Sequence, residues 1–102
     1  MIGLLERKRH AIEQACARFG VARLEAFGSA LREDFKSDES DLDLLVELKP
    51  MEPYARVEAY FGIRDELRAL FGREVDLVMV EAVKNPYLSR EIERTKQLVY
   101  AA

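Results

Sequence analysis

Residues 41–48, DLDLLVEL, alternate regularly enough to set the phase of a β-strand. Leu42, Leu44, Val46 and Leu48 share one face, and Asp41, Asp43 and Leu45 share the other. A strand with an unbroken apolar face must be covered, and the flanking sequence supplies the helices to do it. Ile2, Leu5, Ile12, Cys16 and Phe19 fit one helix face over residues 2–19, with Gly20 as the stop. Residues 21–27, VARLEAF, predict another strand, broken by Gly28-Ser29. Residues 30–34 suit a short helix capped by Ser29, and residues 35–40, FKSDES, have the composition of a loop. Pro50 and Pro53 mark a further loop. Residues 54–71 predict a second long helix with Val57, Phe61, Leu67, Leu70 and Phe71 on its apolar side and Gly72 at its end. Residues 74–80, EVDLVMV, predict a third strand, Asn85-Pro86 a boundary, and residues 87–99 a last helix. The expected architecture is a small α/β (α+β) domain, an about three-stranded mixed sheet flanked by helices.

A chain of 102 residues predicts a single domain over residues 1–102. Its 49% apolar content supports a core, and its formal charge of -3 argues against wide, non-specific coating of nucleic acid, which needs a basic face. A local phosphate site remains compatible with that charge. Cys16 is the only cysteine, so no internal disulfide forms, and its helical setting predicts a small buried residue. His10 is the only histidine, which argues against a histidine-rich metal site or a Ser-His-Asp set. The opening MIGLLERKRHAIEQ turns charged too soon for a signal peptide, and no apolar run approaches membrane-spanning length. A cytoplasmic protein is expected.

Chemistry concentrates around the 41–48 strand. Glu33, Asp34, Asp38, Glu39, Asp41 and Asp43 crowd a short stretch offset only by Arg32 and Lys36. Such a cluster repels itself unless water or a cation screens it. Asp41 and Asp43 are i and i+2 on the strand, so they leave the same face with Cα atoms roughly 6–7 Å apart. Two carboxylates so placed can converge on Mg²⁺, which takes oxygen ligands and commonly shares them with substrate phosphates. Two such ions can clamp the attacking and leaving oxygens of a phosphoryl displacement. Asp76, the only charged residue inside the run VDLVMV, is the candidate third carboxylate. The plainer alternatives are a solvated strand face for Asp-x-Asp, and an ion pair with Arg73 or edge exposure for Asp76.

The Gly28-Ser29 turn has a complementary chemistry. Glycine admits close backbone approach, the amides of a helix start favour anions, and Ser29 and Arg32 can add contacts to phosphate oxygens. Taken alone, Ser29 reads more simply as a helix cap. The glycine spacings of the Walker and dinucleotide-binding loops are both missing. Tyr54, Tyr60, Tyr87 and Tyr100 fit either a protein interface or ordinary half-buried positions.

Together, the segments FGSALRED at 27–34, SDLDLLVEL at 40–48, EVDLVMVEAV at 74–83 and KNPYLSREIERTKQLVY at 84–100 resemble the nucleotidyltransferase superfamily related to DNA polymerase β. The likeness is greatest to the minimal nucleotidyltransferases (MNT) encoded beside HEPN-domain partners, and covers nearly the whole chain. One departure is the spacing: eleven residues, 30–40, separate Ser29 from Asp41, where the family usually has ten. The resemblance implies that Gly28 and Ser29, with support from Arg32, hold the triphosphate of ATP. It implies that Asp41, Asp43 and Asp76 ligate Mg²⁺ in a two-metal site. It further implies an antitoxin that transfers AMP from ATP to a tyrosine hydroxyl of a HEPN toxin, as a homo-oligomer or as a hetero-oligomer with that toxin. An antitoxin acting only by binding its HEPN partner, and a small-molecule nucleotidyltransferase, are the alternatives.

Overall fold

The computed structural model of the chain describes residues 2–28 and 42–102. The elements are helices α1 (Ile2–Arg7) and α2 (Arg9–Phe19), strands β1 (Val21–Ala26) and β2 (Leu42–Leu48), helix α3 (Pro53–Phe71), strand β3 (Val75–Met79), a short 3-10 turn (Val80–Ala82), helix α4 (Pro86–Thr95) and strand β4 (Gln97–Ala101). The expected short helix over 30–34 and the loop over 35–40 lie outside the described residues.

Glycines Gly20 and Gly72 end α2 and α3 as their positions predict, each in the left-handed region (φ 73° and 64°) with its N–H returned to the carbonyl of Cys16 or Arg68. The long N-terminal helix breaks at Lys8 (φ -99°, ψ 5°). Between Leu5 and Ile12 the chain reads ERKRHA, so no large apolar side chain clamps that turn to the core.

The described strands form one mixed sheet of four, in the order β3-β2-β1-β4. β2 runs parallel to β3, and β1 pairs antiparallel with β2 and β4. The fourth strand corrects the expected three. The C-terminal helix stops at Thr95 instead of continuing to 99, because Lys96 turns extended (φ -61°, ψ 142°) and Gln97–Ala101 lies along β1. Apolar positions at 88, 92 and 99 mimic a helix period, but β1 otherwise leaves a row of backbone donors and acceptors unpaired, and a local period contains no record of that need.

The alternation of β2 holds as expected. Leu42, Leu44 and Val46 are fully buried, with Leu48 nearly so, against Ile12, Ala15 and Cys16 of α2 and Ala59, Ile63, Leu67 and Phe71 of α3. Each of the large aliphatic and phenylalanine side chains among them contributes about 1.5–3 kcal/mol by leaving water. α2 and α3 approach closely because α3 carries Gly62 where the Phe19 ring lies; a Cβ there would collide with the ring. The Tyr60 hydroxyl donates to the Leu77 carbonyl at 2.6 Å and ties α3 to β3. Tyr60 and Tyr100 are half-buried, whereas Tyr54 and Tyr87 are exposed.

The opposite sheet face has a smaller core, Phe27, Leu45 and Ile92, joined by Val78, Val83 and Leu88. Among the described residues, α4 and the turn before it cover this side. Asn85 caps α4, its side chain accepting from the N–H groups of Tyr87 and Leu88. Among the described residues, no helix is long and apolar enough to cross a membrane.

Candidate active site

Asp43 and Asp76 are direct partners across the parallel β2–β3 ladder. Adjacent strands lie about 4.8 Å apart, and residues in parallel register project to the same side, so the two carboxylates leave one face together. That face is the one on which, among the described residues, α4 and the short turn pack. Asp43 is half-buried, and Asp76 is exposed on the edge strand β3. Edge exposure alone would be unremarkable; its position opposite Asp43 gives Asp76 a chemical context.

Gly28 completes the described part of the site. The Phe27 N–H donates to the Asp43 carbonyl at 3.1 Å, which carries β1 past the start of β2. Gly28 then turns with φ +70°, and a Cβ placed on it would lie 3.0 Å from Asp43 Oδ2. Two separate constraints therefore favour glycine here, the left-handed backbone and the carboxylate against it. The Gly28 N–H donates to Thr95 Oγ1 at 3.0 Å, and the Thr95 hydroxyl donates to the Glu91 carbonyl at 2.7 Å. The amide of Gly28 is thus engaged within the protein, and what this residue offers the site is the space of its missing side chain.

Of the residues singled out from sequence, the fold brings Gly28, Asp43 and Asp76 to one place. Ser29, Arg32 and Asp41 lie outside the described residues. Among the described residues, no group of three or more His, Cys, Asp or Glu side chains is arranged to hold a metal ion. The pair that is described fits a hard divalent cation in its chemistry: two carboxylates in register, with Asp41 the residue i-2 to one of them.

Two residues near the site were not singled out by sequence reasoning. Glu25, almost fully buried on β1, pairs with Leu45 across the β1–β2 ladder and so shares the face of Asp43. Its carboxylate lies 3.3 Å from Arg23 Nε and 4.0 Å from Lys96 Nζ. The Arg-x-Glu spacing of 23 and 25 was the available signal, since i and i+2 share a strand face. The other is Thr95, which has no local signal, because it meets Gly28 across 67 residues of sequence.

Comparison with known proteins adds to this geometry. The family described as "Nucleotidyltransferase domain" matches residues 8–99. A protein of Methanocaldococcus jannaschii, "Putative protein adenylyltransferase MJ0128", is 36% identical over 83 residues, covering 81% of this chain and 79% of that one. "Protein adenylyltransferase MntA" of Thermococcus cleftensis is 37% identical over 68 residues, covering 67% and 65%. Among solved structures, one of a "putative minimal nucleotidyltransferase" superposes with a TM-score of 0.71 at 31% identity, over 91% of this chain and 90% of that one. A complex of a tri-AMPylated Shewanella oneidensis HEPN toxin with its MNT antitoxin matches with a TM-score of 0.61 at 17% identity, over 96% and 73%, a likeness of fold alone.

Proposed function

This chain belongs to the nucleotidyltransferase domain family and is a nucleotidyltransferase, and from that premise we propose that it is a Mg²⁺-dependent protein adenylyltransferase, moving AMP from ATP onto a tyrosine hydroxyl of a cognate HEPN-domain toxin and so acting as its cytoplasmic antitoxin. The observation that carries the reading is the register of Asp43 and Asp76 beside Gly28. It gathers negative charge at the end of the sheet where the Gly28-Ser29 turn begins. The names of the relatives at 36% and 37% identity favour a protein acceptor.

In this mechanism Ser29 and Arg32 hold the β- and γ-phosphates. The acceptor hydroxyl attacks the α-phosphorus, the bond to the bridging oxygen of pyrophosphate breaks, and the hydroxyl proton passes to a carboxylate. Asp76, the exposed member of the pair, is assigned that proton, because it is the one an incoming protein surface can reach. Asp41, Asp43 and Asp76 would hold Mg²⁺, which when bound supplies positive charge at the reacting phosphate and lowers the pKa of the attacking hydroxyl. Positioning of ATP against the acceptor supplies much of the remaining rate.

The test is intact mass spectrometry of the product of the adjacent reading frame, expected to be a HEPN-domain protein, after incubation with this chain and Mg-ATP. The wild type is expected to add one or more adenylates, and the Asp41→Ala/Asp43→Ala double variant none. Tight binding of the two proteins with no mass gained would defeat the catalytic reading and leave an antitoxin that acts by binding.

A further inference from the structure

We infer that Thr95 is a positioning residue for nucleotide binding, a hydroxyl supplied by the C-terminal helix that fixes the phosphate-binding turn against Asp43. The inference deepens the nucleotidyl-transfer reading of the site and rests on it.

The argument begins with the hydroxyl. Thr95 has one hydrogen to give, and it goes to the Glu91 carbonyl one helical turn back, at 2.7 Å. That bond orients the oxygen and leaves its lone pairs for a donor. The donor is the Gly28 N–H, at 3.0 Å. Gly28 is the residue at which β1 turns toward Ser29, and the one whose missing Cβ leaves room for Asp43 Oδ2. That hydrogen bond therefore holds the backbone at the point where the proposed triphosphate turn and the candidate metal carboxylate meet.

Thr95 is itself held from both sides. One turn before it, Ile92 is buried against Phe27 and Leu45, which docks α4 on the sheet. Two residues after it, Gln97 pairs with Ala26 as β4 begins. The hydroxyl thus sits at the junction of a packed helix and a paired strand, and both contacts bear on the end of β1. Such a residue transmits the rigidity of the scaffold to Gly28, the residue that leads into the proposed phosphate-binding Ser29. Without it, Gly28 retains the conformational freedom of glycine and no described side chain to restrain its amide.

The experiment measures Mg-ATP binding to the whole chain by calorimetry, with no acceptor present, for the wild type, Thr95→Val and Thr95→Ser. Amide hydrogen exchange at Gly28 is followed alongside. Valine keeps the shape and loses the acceptor; serine keeps the acceptor. The dissociation constant is expected to rise about tenfold in Thr95→Val, the scale of one hydrogen bond, and to stay within about twofold in Thr95→Ser. Protection of the Gly28 amide is expected to disappear in the first and persist in the second. Thr95→Ala gives the same comparison if valine does not fold. A purely structural role would lower the melting temperature and leave the dissociation constant unmoved well below it, which would overturn the inference. Equal losses in Val and Ser would overturn it too, by assigning the effect to the methyl group. A wild type that binds no Mg-ATP would instead overturn the nucleotidyl-transfer reading itself.

Discussion

The two faces of the sheet are built from the same strands and have different fates. One face carries Leu24, Leu42, Leu44, Val46, Val75 and Leu77 and is closed by α2 and α3 into the main core. The other carries Glu25, Phe27, Asp43, Leu45, Asp76 and Val78 and is covered by α4 and the short turn before it. Along β2 and β3 the change from core to site therefore takes one residue, from Asp43 to Leu44 and from Asp76 to Leu77. The difference teaches how one sheet can combine a packed core with a candidate catalytic centre. A closed face supplies stability, and the other face carries carboxylates, Asp43 and Asp76, that among the described residues are spared full burial, which would otherwise be costly.

Neighbouring substitutions on β3 test this division most directly. Asp76→Asn removes a charge from the face that carries Asp43 and is expected to lower nucleotidyl transfer by at least about 100-fold, with stability within about 0.5 kcal/mol of wild type. Activity assays and denaturant melts of the same preparation check both halves. A large loss of stability would show that Asp76 belongs to the packing after all. Leu77→Ala, one residue on, is expected to do the reverse: about 2–5 kcal/mol of destabilisation, with transfer per folded molecule nearly retained. If its activity fell as far as that of Asp76→Asn, the two faces would not be separable.

The gentlest probe of the closed face is Cys16. Burial with no exposed surface pushes its thiol up to about 12 from an ordinary 9.0. The folded state therefore holds this proton more tightly than the unfolded chain. The associated stability is fully present below pH 9 and is lost as the pH rises toward 12. A Cys16→Ala variant is expected to lose less stability than wild type between pH 9 and pH 11. At neutral pH the native thiol is expected to react with disulfide reagents only as fast as the core opens. Rapid labelling would mean that the α2 side is less closed than its packing indicates.

Much of this protein is legible in its sequence because much of it is local. The phase of DLDLLVEL assigns Leu44 to the core and Asp43 to the opposite face. Gly20 and Gly72 announce two helix ends, and the charge of Asp76 is conspicuous inside an apolar strand. The break at Lys8 leaves no such mark, because a helix period spans the charged turn at 6–10 with apolar residues on either side. The tertiary structure alone decided the rest. It made QLVYA a strand, since β1 had an edge to pair; it buried Glu25 beside Arg23 and Lys96; and it brought Thr95 to Gly28. Periodicity and capping are properties of neighbours along the chain, whereas a hydrogen bond across 67 residues exists only once the sheet has set the distance between its ends.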